Sequence, residues 1–416
     1  MQYLRRAIDA RLDFLMRHIP AIAIDGPKGV GKTETAAQRS AIVFHLDRPE
    51  QRSILEADLG LTAVPKGAVL LDEWQRLPAV WDSVRRAVDG GAKPGRFLLT
   101  GSATPHDAAG THSGAGRILS LRLRPMALFE RGDVNADVSF ADILHGEVEL
   151  PFRGTDFALR DYVHAICASG FPGIMRNDAQ IAEELLDSYL LRVIDRDLPD
   201  YGVSVRRPET LRRWMAAYAA ASSTTTQYSK ILDATTGGDG TQPAQSTTIA
   251  YRNHLSALWL LDPVPGWIPA NNPLKRLTLA PKHQLADPAL AVRLLGLNQR
   301  SLISGRGQHM LGQLFESLAT LSVRAAAEAL RAKVYHLRTK NGDHEIDLIV
   351  EGCDGELLAI EVKLAQAISD QDVKHLLWLR AKLQRSELQL LVLNTGTQAY
   401  RRADGIIVVP LAMLGL

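Results

Sequence analysis

Apolar runs in the first 125 positions are short and regularly interrupted. Ala21-Ile-Ala-Ile24, Ala41-Ile-Val-Phe-His-Leu46, Ala68-Val-Leu-Leu71, Arg96-Phe-Leu-Leu-Thr100 and Ile118-Leu-Ser-Leu-Arg-Leu-Arg124 have the length of strands rather than helices. Between them, Glu34-Thr-Ala-Ala-Gln-Arg-Ser can start a helix, and Trp74 to Asp89 carries apolar residues near helical spacing, closed by the stop signal Gly90-Gly91. Five strands separated by helices predict a mainly parallel, doubly wound α/β sheet. The pattern then changes. Residues 127 to 204 read as helical, with a glycine stop after Asp161-Tyr-Val-His-Ala-Ile-Cys-Ala-Ser and a strongly amphipathic stretch from Glu183 to Asp197. From about 205 to 270, three short helices begin at Leu211, Gln227 and Thr247 and precede a strand-like tail, with a long Gly-rich stretch from Thr236 to Ser246 between the second and third. Toward the C-terminus, a helix holding Gly312-Gln-Leu-Phe-Glu316 precedes strands at Lys333–Arg338, Glu345–Val350 and Leu357–Lys363, the last two joined by a turn at Asp354-Gly355.

Length and composition narrow the class. A chain of 416 residues exceeds one ordinary core, and 46% hydrophobic with 23% charged residues is the balance of a soluble globular protein. Met1 to Asp13 is interrupted by charges every few residues, so it reads as an amphipathic helix rather than a signal peptide or membrane span. Two cysteines, Cys167 and Cys353, lie far apart without CxxC spacing, which points to a reducing, cytoplasmic setting and no structural zinc. A formal net charge of +2 gives no global nucleic-acid footprint, so any such contact must come from local patches.

The strongest chemical signal follows the first strand. Gly26-Pro27-Lys28-Gly29-Val30-Gly31-Lys32-Thr33 fits GxxxxGK(S/T) at every position, between a strand and a helix that opens with Glu34. Glycines let successive N–H groups converge on one phosphate, and the helix start adds the positive end of its dipole. Lys32 is then expected at the β- and γ-phosphates and the Thr33 hydroxyl on Mg²⁺, with ATP as ligand. About forty residues on, Asp72-Glu73 ends an apolar run, the arrangement in which the first acid holds the Mg²⁺ shell and the second polarises the attacking water. Thr100 or Ser102, at the end of the neighbouring run, can reach the γ-phosphate or its water, or can simply cap the next turn. A second constellation lies in the last hairpin. Asp347 and Glu361 would face one side and share a divalent cation, with Lys363 two residues on and on the same side. There Lys363 would orient a water or stabilise a phosphorane. The alternatives are an exposed cross-strand surface, or a retained scaffold that binds without cutting.

GPKGVGKT, LLDEWQRLP, LLTGSAT, the GAGR…LRLRPMALFE stretch, ASGFPGIMR and YLLRVIDRDLP, in this order, resemble the prokaryotic AAA+ ATPases that carry a C-terminal domain of unknown function related to PD-(D/E)xK nucleases. The resemblance covers nearly the whole chain and implies four parts. These are an AAA+ P-loop domain over 1–126, a helical lid over 127–204, a winged-helix-like segment over 205–284 and a PD-(D/E)xK-like α/β domain over 285–416. It implies that Glu316 is the helix-borne acid beside Asp347, Glu361 and Lys363, and that Arg117 is a candidate finger or sensor, a surface arginine being the alternative. Lys28 departs from the arginine of many relatives, with little consequence expected. In the lid, Arg192 and Arg196 could approach phosphates or form a solvated face paired to Asp195 and Glu183. The middle segment resembles a winged helix-turn-helix with Thr248, Tyr251, Arg252 and His254 as candidate DNA contacts, or serves protein docking or a purely structural use. DNA and self-association through a shared ATP site are the candidate partners, and no membrane association is expected. The sequence thus predicts ATP hydrolysis coupled to a DNA-binding or nuclease-like module, or alternatively a nucleotide-gated switch with negligible turnover and an inactive nuclease-like domain.

Overall fold

The computed structural model describes residues 3–62, 64–101, 114–200, 207–235, 243–267, 280–339, 342–385 and 387–416. Ser102, Tyr201 to Ser204 and residues 236–242 of the Gly-rich stretch lie outside them. The chain divides into two compact units: Met1–Arg124 with Ala257–Trp259, and Pro125–Ser256 with Leu260–Leu416.

In the first unit, strands β1 (Ala21–Asp25), β2 (Ile42–His45), β3 (Val69–Asp72), β4 (Phe97–Gly101) and β5 (Leu119–Arg122) form one parallel sheet in the order β2-β3-β4-β1-β5. Every residue of β1, β3 and β4 is buried, while β2 at the edge is half-buried throughout. This explains why the central strands read as unbroken apolar runs, since a parallel sheet is covered on both faces. The helices are α1 (Asp9–Met16), α2 (Lys32–Ala37), α3 (Pro49–Ala57) and α4 (Ala79–Asp89). The core joins Leu71, Val80, Val84 and Leu99 to Trp74 and Trp81, whose rings lie 4.6 Å apart. Each such fully buried side chain stabilises the fold by roughly 1.5–3 kcal/mol relative to exposure. Register decides the function. Asp25 pairs with Gly101 and Asp72 with Thr100, so the turn after β1 and the acid at the end of β3 open on the same sheet edge, with β4 between them.

The second unit combines helices and a mixed sheet. Helices span Leu159–Ala168, Ala179–Arg192, Pro208–Ala220, Tyr228–Ala234, Gln245–Ala257 and Pro288–Leu294, and a π-helical segment, Val193–Asp197, prolongs the second of these. After the third of the three middle helices, Leu261 and Val264 bridge antiparallel to Leu285 and Lys282. Thr248 is buried and its hydroxyl donates to the Gln245 carbonyl at 2.9 Å, while the Arg252 guanidinium lies 4.7 Å from the Tyr228 ring centroid. These two side chains are engaged inside the unit rather than presented as the sequence suggested. Asp195 and Glu183 are likewise claimed by other partners than expected: Arg293 donates to Glu183 at 2.8 Å, and Arg212 lies 3.9 Å from Asp195.

The sheet orders β11 (Tyr400–Arg401), β12 (Ile407–Pro410), β10 (Leu388–Asn394), β9 (Leu357–Val362), β8 (Glu345–Glu351) and β7 (Lys333–Arg338) side by side. The β7-β8-β9 part is antiparallel, and β9-β10-β12 is parallel. Helices Leu311–Ala329 and Asp370–Leu383 pack against it. A small parallel pair joins β6 (Val138–Ser139) to β13 (Leu414–Gly415), and nearby the Ala412 amide donates to the buried Tyr162 hydroxyl at 3.0 Å. Among the described residues, no helix is long and apolar enough to cross a membrane.

Candidate functional site

The turn between β1 and α2 is shaped by backbone constraints before any side chain acts. A Cβ on Gly26 would lie 2.1 Å from the Leu123 carbonyl oxygen, so the close approach of these two backbones admits only glycine. Gly31, with φ 93°, sets the left-handed entry into α2. The Val30 carbonyl is clamped from outside by the buried Arg6, which donates to it at 2.9 Å and to the Arg124 carbonyl at 2.8 Å. Lys28 and Gly29 form the exposed crest of the turn, Pro27 and Val30 its buried base, and Glu34 projects from the first turn of α2.

Lys32 is buried and donates to the carbonyls of Gly26 and Pro27, both at 2.8 Å, so its ammonium spans the mouth of the turn. Burial pushes its pKa down to about 8, with Glu73, Asp25 and Asp72 acting in the opposite direction. Asp25 is itself pushed up to about 6 by burial, opposed by Ser120, Lys32 and Arg122. The Thr33 hydroxyl donates to Asp72 Oδ1 at 2.8 Å, and the Thr100 hydroxyl donates to the same oxygen at 2.6 Å. His45 Nδ1 lies 2.9 Å from Asp72 Oδ2. Asp72 is therefore held from β2, from β4 and from the start of α2.

Glu73 follows with φ 55°, a left-handed conformation that costs a non-glycine residue about 1–2 kcal/mol. The next residue explains how that persists: Trp74 is buried against Trp81 and dictates the turn. The Glu73 carboxylate accepts a hydrogen bond from the Gln75 side-chain amide. Thr33, Asp72, Lys32 and Glu73 are thus gathered at one sheet edge, and the donor set, a hydroxyl and a carboxylate beside a turn of converging amides, suits Mg²⁺ and a polyphosphate. Arg117 stands apart, half-exposed before β5, and donates to Asp89 at 2.9 Å. Arg6, His45 and the contact of Thr100 with Asp72 were not readable from the sequence as parts of this site. Arg6 lies in no motif, and His45 becomes relevant only once β2 is known to lie beside β3.

The second constellation is built on the β8-β9 pair. Leu348 pairs with Ile360, which sets Asp347 beside Glu361, and the Val362 amide donates to Asp347 Oδ2 at 2.9 Å. Lys363 donates to Glu361 Oε2 at 2.7 Å, and Glu316 comes from helix Leu311–Ala329. A lysine from outside the hairpin completes the group. Lys282, 1% exposed, donates to Glu316 Oε1 at 2.8 Å and to Asp347 Oδ1 at 3.0 Å, and lies 3.7 Å from Glu345 Oε1. The expected sharing of a divalent cation by Asp347 and Glu361, with Glu316 beside them, meets a different arrangement: the positive charge between Glu316 and Asp347 is an ammonium. Among the described residues, no group of three or more His, Cys, Asp or Glu side chains is disposed to hold a metal ion. Burial works against the Asp347 carboxylate, but Lys282 and Lys363 outweigh it and hold its pKa below the ordinary value. Glu361 is pushed well up by burial and by the Asp347 charge, and Glu316 is pushed up by the same two causes.

Three stretches of the chain match family models. Residues 18–131 match the family model of an AAA domain, and residues 159–301 and 311–414 match two domains of unknown function, DUF8612 and DUF4143. Uncharacterized proteins of Mycobacterium tuberculosis and Mycobacterium bovis are each 26% identical over 417 residues, covering 98% of this chain and 83% of the relative. A Walker-type ATPase of Pyrococcus abyssi aligns with a TM-score of 0.40 at 15% identity, over 69% of this chain and 94% of that one. The glycine-rich turn and Asp72-Glu73 both lie within the segment that matches the AAA domain model.

Proposed function

We propose that the chain binds and hydrolyses ATP at the β1-α2 turn and uses the nucleotide state to alter its second unit. The observation that carries this reading is the Thr33 hydroxyl on Asp72 at 2.8 Å, which joins the end of the phosphate-binding turn to the acid of β3. Thr33 and Asp72 would hold Mg²⁺, which when bound neutralises phosphate charge. Lys32 leaves the Gly26 and Pro27 carbonyls for the phosphates, Glu73 orients the attacking water, and Ser102 adds a hydroxyl from the end of the β4 run. Arg117 acts across a shared site between two copies of the chain. The 205–284 segment is winged-helix-like, and the 285–416 domain is PD-(D/E)xK-like, with DNA as the partner class that would suit both.

One observation favours a second reading. The Glu73 carboxylate accepts a hydrogen bond from the Gln75 side-chain amide, which competes with its holding a water. An ATPase assay with and without duplex and single-stranded DNA separates the two, with the DNA products inspected in the same samples. Turnover lost in Glu73→Gln but present in wild type supports hydrolysis. Equal, negligible rates with ATP still bound support the switch.

A further inference from the structure

A divalent cation between Asp347 and Glu361 is what the nuclease-like reading implies, and the residues present do not fit one. Three of the four oxygens of these two carboxylates are engaged. Asp347 Oδ1 accepts from Lys282 at 3.0 Å, Asp347 Oδ2 from the Val362 amide at 2.9 Å, and Glu361 Oε2 from Lys363 at 2.7 Å. Only Glu361 Oε1, buried, has no partner among the described residues. One unengaged carboxylate oxygen leaves Mg²⁺ or Mn²⁺ held almost wholly by water, with no second carboxylate oxygen to anchor it.

Lys282 is also not a side chain that can readily withdraw. Its backbone exchanges hydrogen bonds with Val264, 2.9 Å in each direction. Its neighbours His283 and Gln284 are buried, and His283 Nε2 is 2.7 Å from the Thr226 carbonyl oxygen. The ammonium is therefore delivered from a segment bridged to Val264 into the space between helix Leu311–Ala329 and β8. A metal ion on Asp347 Oδ1 would stand within a few ångströms of that ammonium, and like charges so close in a buried setting exclude one another.

We propose that Lys282 is a tethered cation occupying the place of the divalent metal, so that the Glu316–Asp347–Glu361–Lys363 cluster is complete without metal and becomes a metal site only when the Lys282 charge is removed. This rests on reading the domain as nuclease-like, and its readout is metal binding rather than cleavage, so the two can fail separately.

The test is Mn²⁺ binding to the full chain, stripped of metal and nucleotide, followed by the resonance of free Mn²⁺ and by calorimetry. Wild type and Asp347→Asn should bind the same number of ions. Lys282→Met should bind one more per chain, and Lys282→Met with Asp347→Asn should lose it again. Removing one member of a buried ion pair can prevent folding, so Lys282→Gln with Glu316→Gln, which deletes the pair as a unit, is the second variant and should also gain an ion. If Asp347→Asn removes an ion from the wild-type count, the metal already binds beside Lys282 and the proposal is wrong. It is equally overturned if a folded Lys282 variant gains none. A gained ion without any cleavage of DNA would uphold the tethered cation and count against the nuclease-like reading alone.

Discussion

Lys32 carries a pKa of about 8 because it is buried against backbone carbonyls, with its carboxylate neighbours only partly compensating. Since the unfolded value is near 10.4, the unfolded chain binds the extra proton between about pH 8 and 10.4, and this group's contribution to stability rises with pH across that window. The full effect is roughly 3 kcal/mol on the same scale. ATP affinity should move the opposite way, falling above about pH 8 as the phosphate-binding ammonium is lost. Unfolding midpoints and ATP titrations at pH 7.5 and 9.5, each compared with Lys32→Met, measure both trends, and parallel trends would contradict the assignment. Lys32→Ala should abolish ATP binding at any pH. Glu73 offers a second contrast. Glu73→Gly relieves the left-handed backbone and should raise stability by about 1 kcal/mol, while turnover falls by about 100-fold or more. Glu73→Gln should lose turnover without the gain in stability, so denaturant melts and steady-state rates on both variants distinguish strain from chemistry.

Elements were legible in proportion to how local their causes are. β1, the glycine-rich turn and α2 are contiguous, and β3 announces Asp72 by an apolar run of strand length, so these parts of the site could be read directly. Strand order was not, because pairing between parallel strands joins distant segments and leaves no mark in either alone. The insertion of β4 between β1 and β3 is what brings Thr100 to Asp72, and that contact has its own consequence. Thr100→Val keeps the shape, removes a buried hydrogen bond to a charged group, and should cost about 1.5–3 kcal/mol in stability and raise the Mg²⁺ concentration needed for half-maximal turnover. An unchanged Mg²⁺ requirement would mean that Thr100 does not position Asp72. Lys282 shows the other limit. Its partners lie 34 and 65 residues further along, and a lysine beside a proline in an irregular stretch reads like any surface residue until the sheet is assembled. The helix Gln245–Ala257 was legible, but burial of Thr248 and the stacking of Arg252 depend on packing that periodicity does not encode.

For the whole molecule, Arg117 and Asp89 form an ion pair at the surface of the first unit, and an exposed pair of this kind contributes little to stability. Releasing Arg117 from Asp89 costs little, as the proposed shared site would need. Arg117→Ala should therefore bind ATP normally but hydrolyse it slowly, and mixing it with Lys32→Ala should restore part of the activity. A strictly monomeric mass with ATP, together with no rescue, would remove the shared site. A different property of the whole follows from the pairing of β6 with β13 and the hydrogen bond from Ala412 to Tyr162. These join residues near 140 and 160 to residues beyond 410, so the earlier segments leave the ribosome long before their partners have been made. During synthesis the first unit has all of its sheet strands by Arg122, whereas the second must wait with Val138 and Tyr162 unsatisfied. Long-range closure of this kind slows folding and prolongs the exposure of apolar surface. The second unit should therefore refold more slowly than the first, which stopped-flow refolding followed by limited proteolysis of each unit would measure.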